Sequence, residues 1–118
     1  MIQASGIDHI VLHCGDVRRS KAFYTEALGM TVCREDDSHV FMHAGAQGVA
    51  LFKRPDDAPA SGGNDLNHLA LNVESGSYES LKAELERNGV AVGGRPGDER
   101  CIYFSDPDGH RLQLTLRR

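Results

Sequence analysis

Apolar and polar residues alternate through Ile7-Asp8-His9-Ile10-Val11-Leu12-His13, which predicts a strand over 7–13. Ile10 and Leu12 fall on one face, and His9, Val11 and His13 on the other. A polar turn leads into a helical segment over 17–28. Asp16 is its expected N-cap, Phe23 and Ala27 are i,i+4 neighbours in a buried stripe, and Gly29 ends it. Three short strands follow at 30–34, 39–43 and 48–53. The same order then recurs at 66–73, 77–88, 90–93, 101–105 and 111–116. Ser77 is the expected N-cap of the second helix, with Glu79 in its first turn, Leu81 and Leu85 as its stripe and Asn88-Gly89 as its stop. Asp106-Pro107-Asp108-Gly109 predicts a tight turn between the last two strands.

The two runs are copies of one unit. Ile7-Asp8-His9-Ile10-Val11-Leu12 and Leu66-Asn67-His68-Leu69-Ala70-Leu71 share the order apolar, Asx, His, aliphatic, aliphatic, Leu. Each helix stops at a glycine followed by Met30-Thr31-Val32 or Val90-Ala91-Val92. The 118 residues therefore predict a single domain of two modules, 5–54 and 64–118, joined by a linker at 55–63 that is rich in Pro, Gly, Ala and Asp. The predicted class is α+β: two paired βαβββ modules forming a cupped mixed β-sheet, with the helices on its outer face.

The strand faces carry the first hint of function. Leu69, Leu71 and Val73 oppose His68, Ala70 and Asn72. Ile102 and Phe104 oppose Cys101 and Tyr103; Leu112, Leu114 and Leu116 oppose Gln113 and Thr115; Val49 and Leu51 oppose Ala50 and Phe52. Large aliphatics thus gather on the face the helices should cover. The other face is either the lining of a cup that holds a ligand or a sheet surface that meets water. The repeat favours the cup. His9 and His68 hold equivalent places, as do Ala50 and Gln113, and a pseudo-twofold arrangement of the halves would bring all four together. Two neutral imidazoles and an oxygen donor suit a divalent first-row metal with positions open for substrate.

Charge and cysteine count narrow the classes. Lys and Arg number 13 against 17 Asp and Glu, a net charge of −4, with no basic cluster, so neither nucleic acid nor an anionic membrane is an expected partner. No apolar run approaches the roughly 18 residues of a membrane span, and Met1-Ile2-Gln3-Ala4-Ser5-Gly6 lacks a basic-then-apolar leader pattern. Three cysteines, Cys14, Cys33 and Cys101, form no CxxC pair and argue for a reducing cytoplasm over a disulfide scaffold. Other residues take plainer roles. Phe23, Leu28, Leu81 and Leu85 read as core, Cys101 as a small wall residue and His110 as part of its turn. Glu35-Asp36-Asp37 reads as a solvated loop tip and Arg117-Arg118 as a solvated terminus. His13, His39 and His43 read as edge-strand surface histidines, although His39 and His43 share a face with Phe41, and one in the cleft would serve as acid or base.

Four segments carry a family resemblance: Ile7-Asp8-His9-Ile10-Val11-Leu12; Ser20-Lys21-Ala22-Phe23-Tyr24 with Leu28-Gly29-Met30; Asn67-His68-Leu69-Ala70-Leu71; and Tyr103-Phe104-Ser105-Asp106-Pro107-Asp108-Gly109-His110-Arg111-Leu112-Gln113-Leu114. In these the chain resembles the vicinal oxygen chelate superfamily, which includes glyoxalase I, extradiol dioxygenases, fosfomycin-resistance enzymes and bleomycin-resistance proteins. The resemblance implies metal ligands on the first and last strands of both modules, hence His9 and His68, with Gln113 where extradiol dioxygenases carry Glu. Ala50 stands where glyoxalase I usually has a Glu ligand, which argues against a standard glyoxalase site. Tyr103 lies where a substrate-facing Tyr is expected, able to donate to or orient an oxyanion. The amide of Gln113 is a weaker ligand than a carboxylate, so the implied divalent metal (Fe, Mn, Zn or Ni) would be held weakly or not at all.

The implied function is a cytoplasmic, homodimeric, metal-dependent enzyme of the lyase or dioxygenase type, polarising a small oxygen-rich substrate by Lewis acidity. The alternative is a metal-free binding or drug-sequestering protein of the bleomycin-resistance type. A thiol transferase of the fosfomycin-resistance type would need Glu at 113 and a cation-rich pocket, and ranks third.

Overall fold

The computed structural model describes residues 1, 3, 5–56, 66–95 and 97–116. Most of the predicted linker and Arg117-Arg118 lie outside them. The chain divides into two compact units, Met1–Ala60 and Ser61–Arg118.

The first unit runs β1 (His9–Cys14), α1 (Val17–Ala22), a π-helical turn (Phe23–Ala27), β2 (Thr31–Glu35), β3 (His39–Ala44) and β4 (Gln47–Lys53). Its four strands pair in the order β1-β4-β3-β2, with β1 parallel to β4 and the other pairs antiparallel. The second unit runs β5 (Leu69–Val73), α2 (Tyr78–Arg87), β6 (Gly93–Arg95), β7 (Asp98–Ser105) and β8 (Arg111–Leu116). Its sheet has the matching order β5-β8-β7-β6, with β5 parallel to β8. The predicted α+β class and the βαβββ order of each module are what the chain forms, as two mixed four-stranded sheets.

Helix ends follow local chemistry. Asp16 accepts the Arg19 N–H at 3.1 Å, and Ser77 and Ser80 cap each other reciprocally: Ser80 N–H donates to Ser77 Oγ (3.1 Å) and Ser77 N–H to Ser80 Oγ (2.9 Å). At the far end of α2, Gly89 takes φ 78° and its N–H reaches the Glu86 carbonyl, while Val90 N–H reaches that of Leu85. This closure takes Val90, itself buried, out of the strand predicted at 90–93, so β6 begins at Gly93.

The first helix departs from expectation in a second way. The segment 17–28 is not one α-helix. The Thr25 hydroxyl donates back to the Lys21 carbonyl at 2.8 Å, and the last turn widens to π spacing, closing with Met30 N–H on the Tyr24 carbonyl. The wider turn shifts the helical phase, so Tyr24 is fully buried and Phe23 only half-buried, the reverse of the predicted stripe.

α1 lies against β3 and β4, and α2 against β7. The helix-covered face of the first sheet carries Leu12, Cys14, Val40, Met42, Val49 and Leu51, and that of the second Ile102, Phe104, Leu112 and Leu114, all buried. Burial of this aliphatic face supplies the main driving force for each unit. No helix of the described residues is long and apolar enough to cross a membrane.

Leu51 is wholly buried, whereas Val11, on the opposite face, is 44% exposed. Leu51→Ala is expected to destabilise the protein by about 2–5 kcal/mol and Val11→Ala by less than about 1 kcal/mol. Urea denaturation of both variants checks the facing; equal losses would contradict it.

Candidate functional site

The strand registers show which side chains share each open face. In the first unit His9, Val11 and His13 stand opposite Gly48, Ala50 and Phe52, and these in turn stand opposite His43, Phe41 and His39. In the second unit Ala70 stands opposite Gln113, which stands opposite Tyr103, and Asn72 opposite Thr115, which stands opposite Cys101. The two units correspond position by position. His9 precedes by two the residue paired with Ala50, and His68 precedes by two the residue paired with Gln113.

Each of these histidines is oriented by its own sequence neighbour. His9 Nδ1–H donates to Asp8 Oδ2 at 2.8 Å, and His68 Nδ1–H to Asn67 Oδ1 at 2.9 Å. Because both partners are oxygen acceptors, Nδ1 carries the proton and Nε2 keeps its lone pair in the neutral ring. Metal-binding histidines are ordinarily held this way, with an oxygen acceptor fixing tautomer and ring direction. Both rings are solvent-exposed. Sequence reading used the Asx–His pairs only as a mark of the repeat; their orienting role appears with the hydrogen bonds.

Gly48 seats His9. A Cβ at Gly48 would lie 2.8 Å from His9 Cβ and 3.1 Å from the Asp8 carbonyl oxygen, which accepts the Gly48 N–H at 2.7 Å. Only a residue without a side chain lets β1 begin this close to β4.

Gln113 is held on its amide nitrogen. Nε2 donates to Cys101 Sγ at 3.2 Å and to Thr115 Oγ1 at 2.9 Å. With both N–H groups so used, Oε1 is the end of the amide that remains as an acceptor. Cys101 is therefore more than a wall residue: its sulfur fixes the rotamer of Gln113. Tyr103 is half-buried on the same face, directly across from Gln113.

The other histidines separate. His110 belongs to its turn, as expected: its Nδ1–H donates to Asp106 Oδ2 at 2.6 Å, while Asp106 Oδ1 accepts the N–H groups of Asp108 (2.9 Å) and His110 (2.8 Å). The edge-strand reading of His39 and His43 is corrected. β3 lies between β4 and β2, so both histidines stand inside the sheet on the face of His9. The tip Glu35-Asp36-Asp37 is more structured than a solvated loop. Glu35 pairs with Lys21 at 2.9 Å, and Asp36 Oδ1 accepts from Ser38 N–H (2.8 Å), Ser38 Oγ (3.0 Å) and His39 N–H (3.0 Å). The Ser38 backbone N–H holds the Asp36 carboxyl below the usual carboxylate range against an opposing desolvation, with further help from the Ser38 hydroxyl, the His39 N–H and the His39 charge. Among the described residues of either unit, no three His, Cys, Asp or Glu side chains form a group able to hold a metal.

Two strand–helix–three-strand units, each with its first strand parallel to its last and an Asx-oriented histidine at the entry, define a protein of the paired βαβββ class with imidazole, amide and phenol groups on its open faces. The chain belongs to the Glyoxalase/Bleomycin resistance protein/Dioxygenase superfamily, whose family model matches residues 6–114. It is 30% identical over 118 residues to a metallothiol transferase FosB of Staphylococcus saprophyticus, covering 97% of this chain and 77% of that one. It is 29% identical over 112 residues to a glutathione transferase FosA of Serratia marcescens, covering 93% and 79%. Its fold is similar to that of the fosfomycin resistance protein FosX of Listeria monocytogenes, with a TM-score of 0.79 at 21% identity over 98% of this chain and 96% of the other. An integron cassette protein from a Halifax Harbour sewage outfall metagenome superposes with a TM-score of 0.77 at 28% identity, covering 97% and 100%.

Two predictions follow from the local geometry. Gly48→Ala is expected to displace the start of β1 and destabilise by about 1–3 kcal/mol, with NMR shifts at Asp8 and His9 and none at His110; an unmoved His9 would contradict the seating. Asp36 has a depressed folded pKa, so its hydrogen bonds stabilise fully above the carboxyl's unfolded pKa. That stability is lost as pH falls through the lower folded value. Asp36→Asn is expected to flatten this acid-side dependence in denaturation curves recorded across the range.

Proposed function

We propose that this chain is a metal-dependent enzyme acting on a small, oxygen-rich substrate, with His9, His68 and Gln113 as metal ligands, as the family resemblance assigns them, and Tyr103 as a substrate-facing donor. The observation that carries the reading is the matched pair of Nδ1 hydrogen bonds, from His9 to Asp8 and from His68 to Asn67. It leaves two neutral imidazoles with Nε2 as donor atom, and the tethering of Gln113 through Nε2 leaves an amide oxygen as a third. This donor set fits a divalent first-row ion. Bound there, the ion would supply Lewis acidity toward adjacent substrate oxygens.

The chain's own residues supply the rest. Asp8 and Asn67 fix the imidazole tautomers. Cys101 and Thr115 keep the Gln113 oxygen presented. The Tyr103 hydroxyl, on the same face as Gln113, donates a hydrogen bond to an oxyanion. The ligand set is uncharged, so the substrate is the natural source of compensating negative charge. The names of the FosA and FosB relatives make transfer of a thiol to a small electrophile the first reaction to assay. Gln113 in place of a carboxylate is the departure that sets this chain apart from a thiol transferase of that type, and it also supports the second reading, a metal-free small-molecule binder. Three cysteines in the thiol form suit a reducing cytoplasm. We take the protein to be a homodimer, as the resemblance implies, which sedimentation at micromolar concentration tests.

Metal analysis separates the two readings. Wild type is expected to bind a divalent ion weakly, Gln113→Glu more tightly, and His9→Ala or His68→Ala not at all. Asp8→Ala is expected to weaken binding by about 10- to 100-fold through loss of the orienting acceptor. If Gln113→Glu binds no metal, the metal-free binder is the correct account.

A further inference from the structure

The open face of the first unit carries recognition chemistry beyond His9. Phe41 is the centre of a ring cluster. Its centroid lies 6.0 Å from that of His9, 5.5 Å from His39 and 5.8 Å from Phe52, each pair edge to face, while His39 stacks on Phe52 at 5.3 Å. Phe41 and Phe52 are only half-buried, so ring surface stays open on a sheet face flanked by imidazoles. The guanidinium carbon of Arg34 lies over Phe41, 4.4 Å from the ring centroid.

Arg34 reaches this face because of a β-bulge. In β2, Thr31 pairs with His43 and Val32 with Met42, but the next pairs are Arg34 with Phe41 and Glu35 with Val40. A regular ladder would have set Arg34 opposite Val40, on the helix-covered side, and Cys33 opposite Phe41. The extra residue turns Arg34 to the open face, and bulges commonly re-aim a side chain in this manner. It also sends Glu35 to the other side, where it pairs with Lys21. Among the described residues no carboxylate pairs with Arg34. Asp8 and Asp36 each pair with an imidazole, Asp8 with His9 and Asp36 with His39. A guanidinium lying on a ring keeps its in-plane N–H fork available, and that fork matches two oxygens of one anionic group.

We propose that Arg34 is the specificity-determining residue for an anionic ligand. The ligand is a small organic oxyanion, a carboxylate or phosphonate on a planar body. Its oxygens are gripped by the guanidinium fork and its body lies against the Phe41, Phe52 and His39 rings. This rests on the reading that the open face takes a small-molecule substrate, and it does not need the metal. The charge logic agrees with a neutral ligand set elsewhere: the anion comes from the substrate.

The test titrates the metal-free 118-residue chain with phenylphosphonate and, separately, with benzoate, using benzyl alcohol as the neutral control. NMR follows the Arg34 side-chain N–H and the Phe41 and Phe52 ring signals. The expected result is saturable shifts at these groups with at least one of the anions, and binding of benzyl alcohol weaker by about tenfold or more. Whichever anion binds more tightly identifies the preferred headgroup. Arg34→Gln is expected to weaken binding by about tenfold or more, and Arg34→Lys to restore it only in part, because an ammonium lacks the fork. Phe41→Leu, which removes the platform but keeps the charge, is expected to weaken it as well. Retained affinity in Arg34→Gln, full restoration by Lys, or no saturable binding of either anion would overturn the proposal. Metal affinity measured on the same samples keeps the two claims apart: loss of anion binding with metal binding intact removes this inference alone, and the converse removes the metal reading alone.

Discussion

The parallel pairing of the first and last strand in each unit is the constraint on which everything else depends. His9 stands beside Gly48 and Ala70 beside Gln113 only in the observed registers. A slip of one residue would turn the aliphatic set, Leu12 and Leu51 or Leu71 and Leu114, to the open side and carry the polar set under the helices. Burial of Leu51 and Ile102 therefore stabilises the fold and at the same time fixes which residues stand on the open faces. Gly48 tightens the arrangement further, since β1 starts so near β4 that any side chain there would push His9 away.

Within that frame the polar groups act in small, self-contained sets. The His9 and His68 imidazoles are each held by the preceding residue, the Gln113 amide by a thiol and a hydroxyl on its own face, and the Asp36 carboxylate by the turn it closes. None of these requires a buried charge. The open face of the first unit thus carries imidazoles and the Arg34 guanidinium, and that of the second carries the Gln113 amide and the Tyr103 phenol, with Arg111 on the same strand face as Gln113.

How much of this could be read from the chain depends on what alternation encodes. It encodes faces: Leu71 and Leu114 against Gln113, or Leu51 against Ala50, were legible because period two survives any lateral arrangement of strands. It does not encode lateral order, so His39 and His43 looked like edge residues when β3 is interior. Nor does it reveal irregularities. The bulge between Val32 and Arg34 reverses parity downstream, and the π turn at Phe23–Ala27 exchanges the roles of Phe23 and Tyr24; both arise from hydrogen bonds that no hydropathy pattern records. The grip of Cys101 and Thr115 on Gln113 was hidden for a related reason, because Cys101 becomes a neighbour only through the β7–β8 register.

The adjacency of each histidine to its orienting Asx has a consequence for ancestry. An orienter recruited from a distant strand would have to be rediscovered each time the histidine moved to a new scaffold. Here histidine and orienter are two consecutive codons, so a copied module carries the oriented imidazole whole. Asp in one copy and Asn in the other differ in charge and share the hydrogen-bonding geometry. The cassette tolerates that change because an acceptor oxygen, and not a formal charge, is all the imidazole needs beside it.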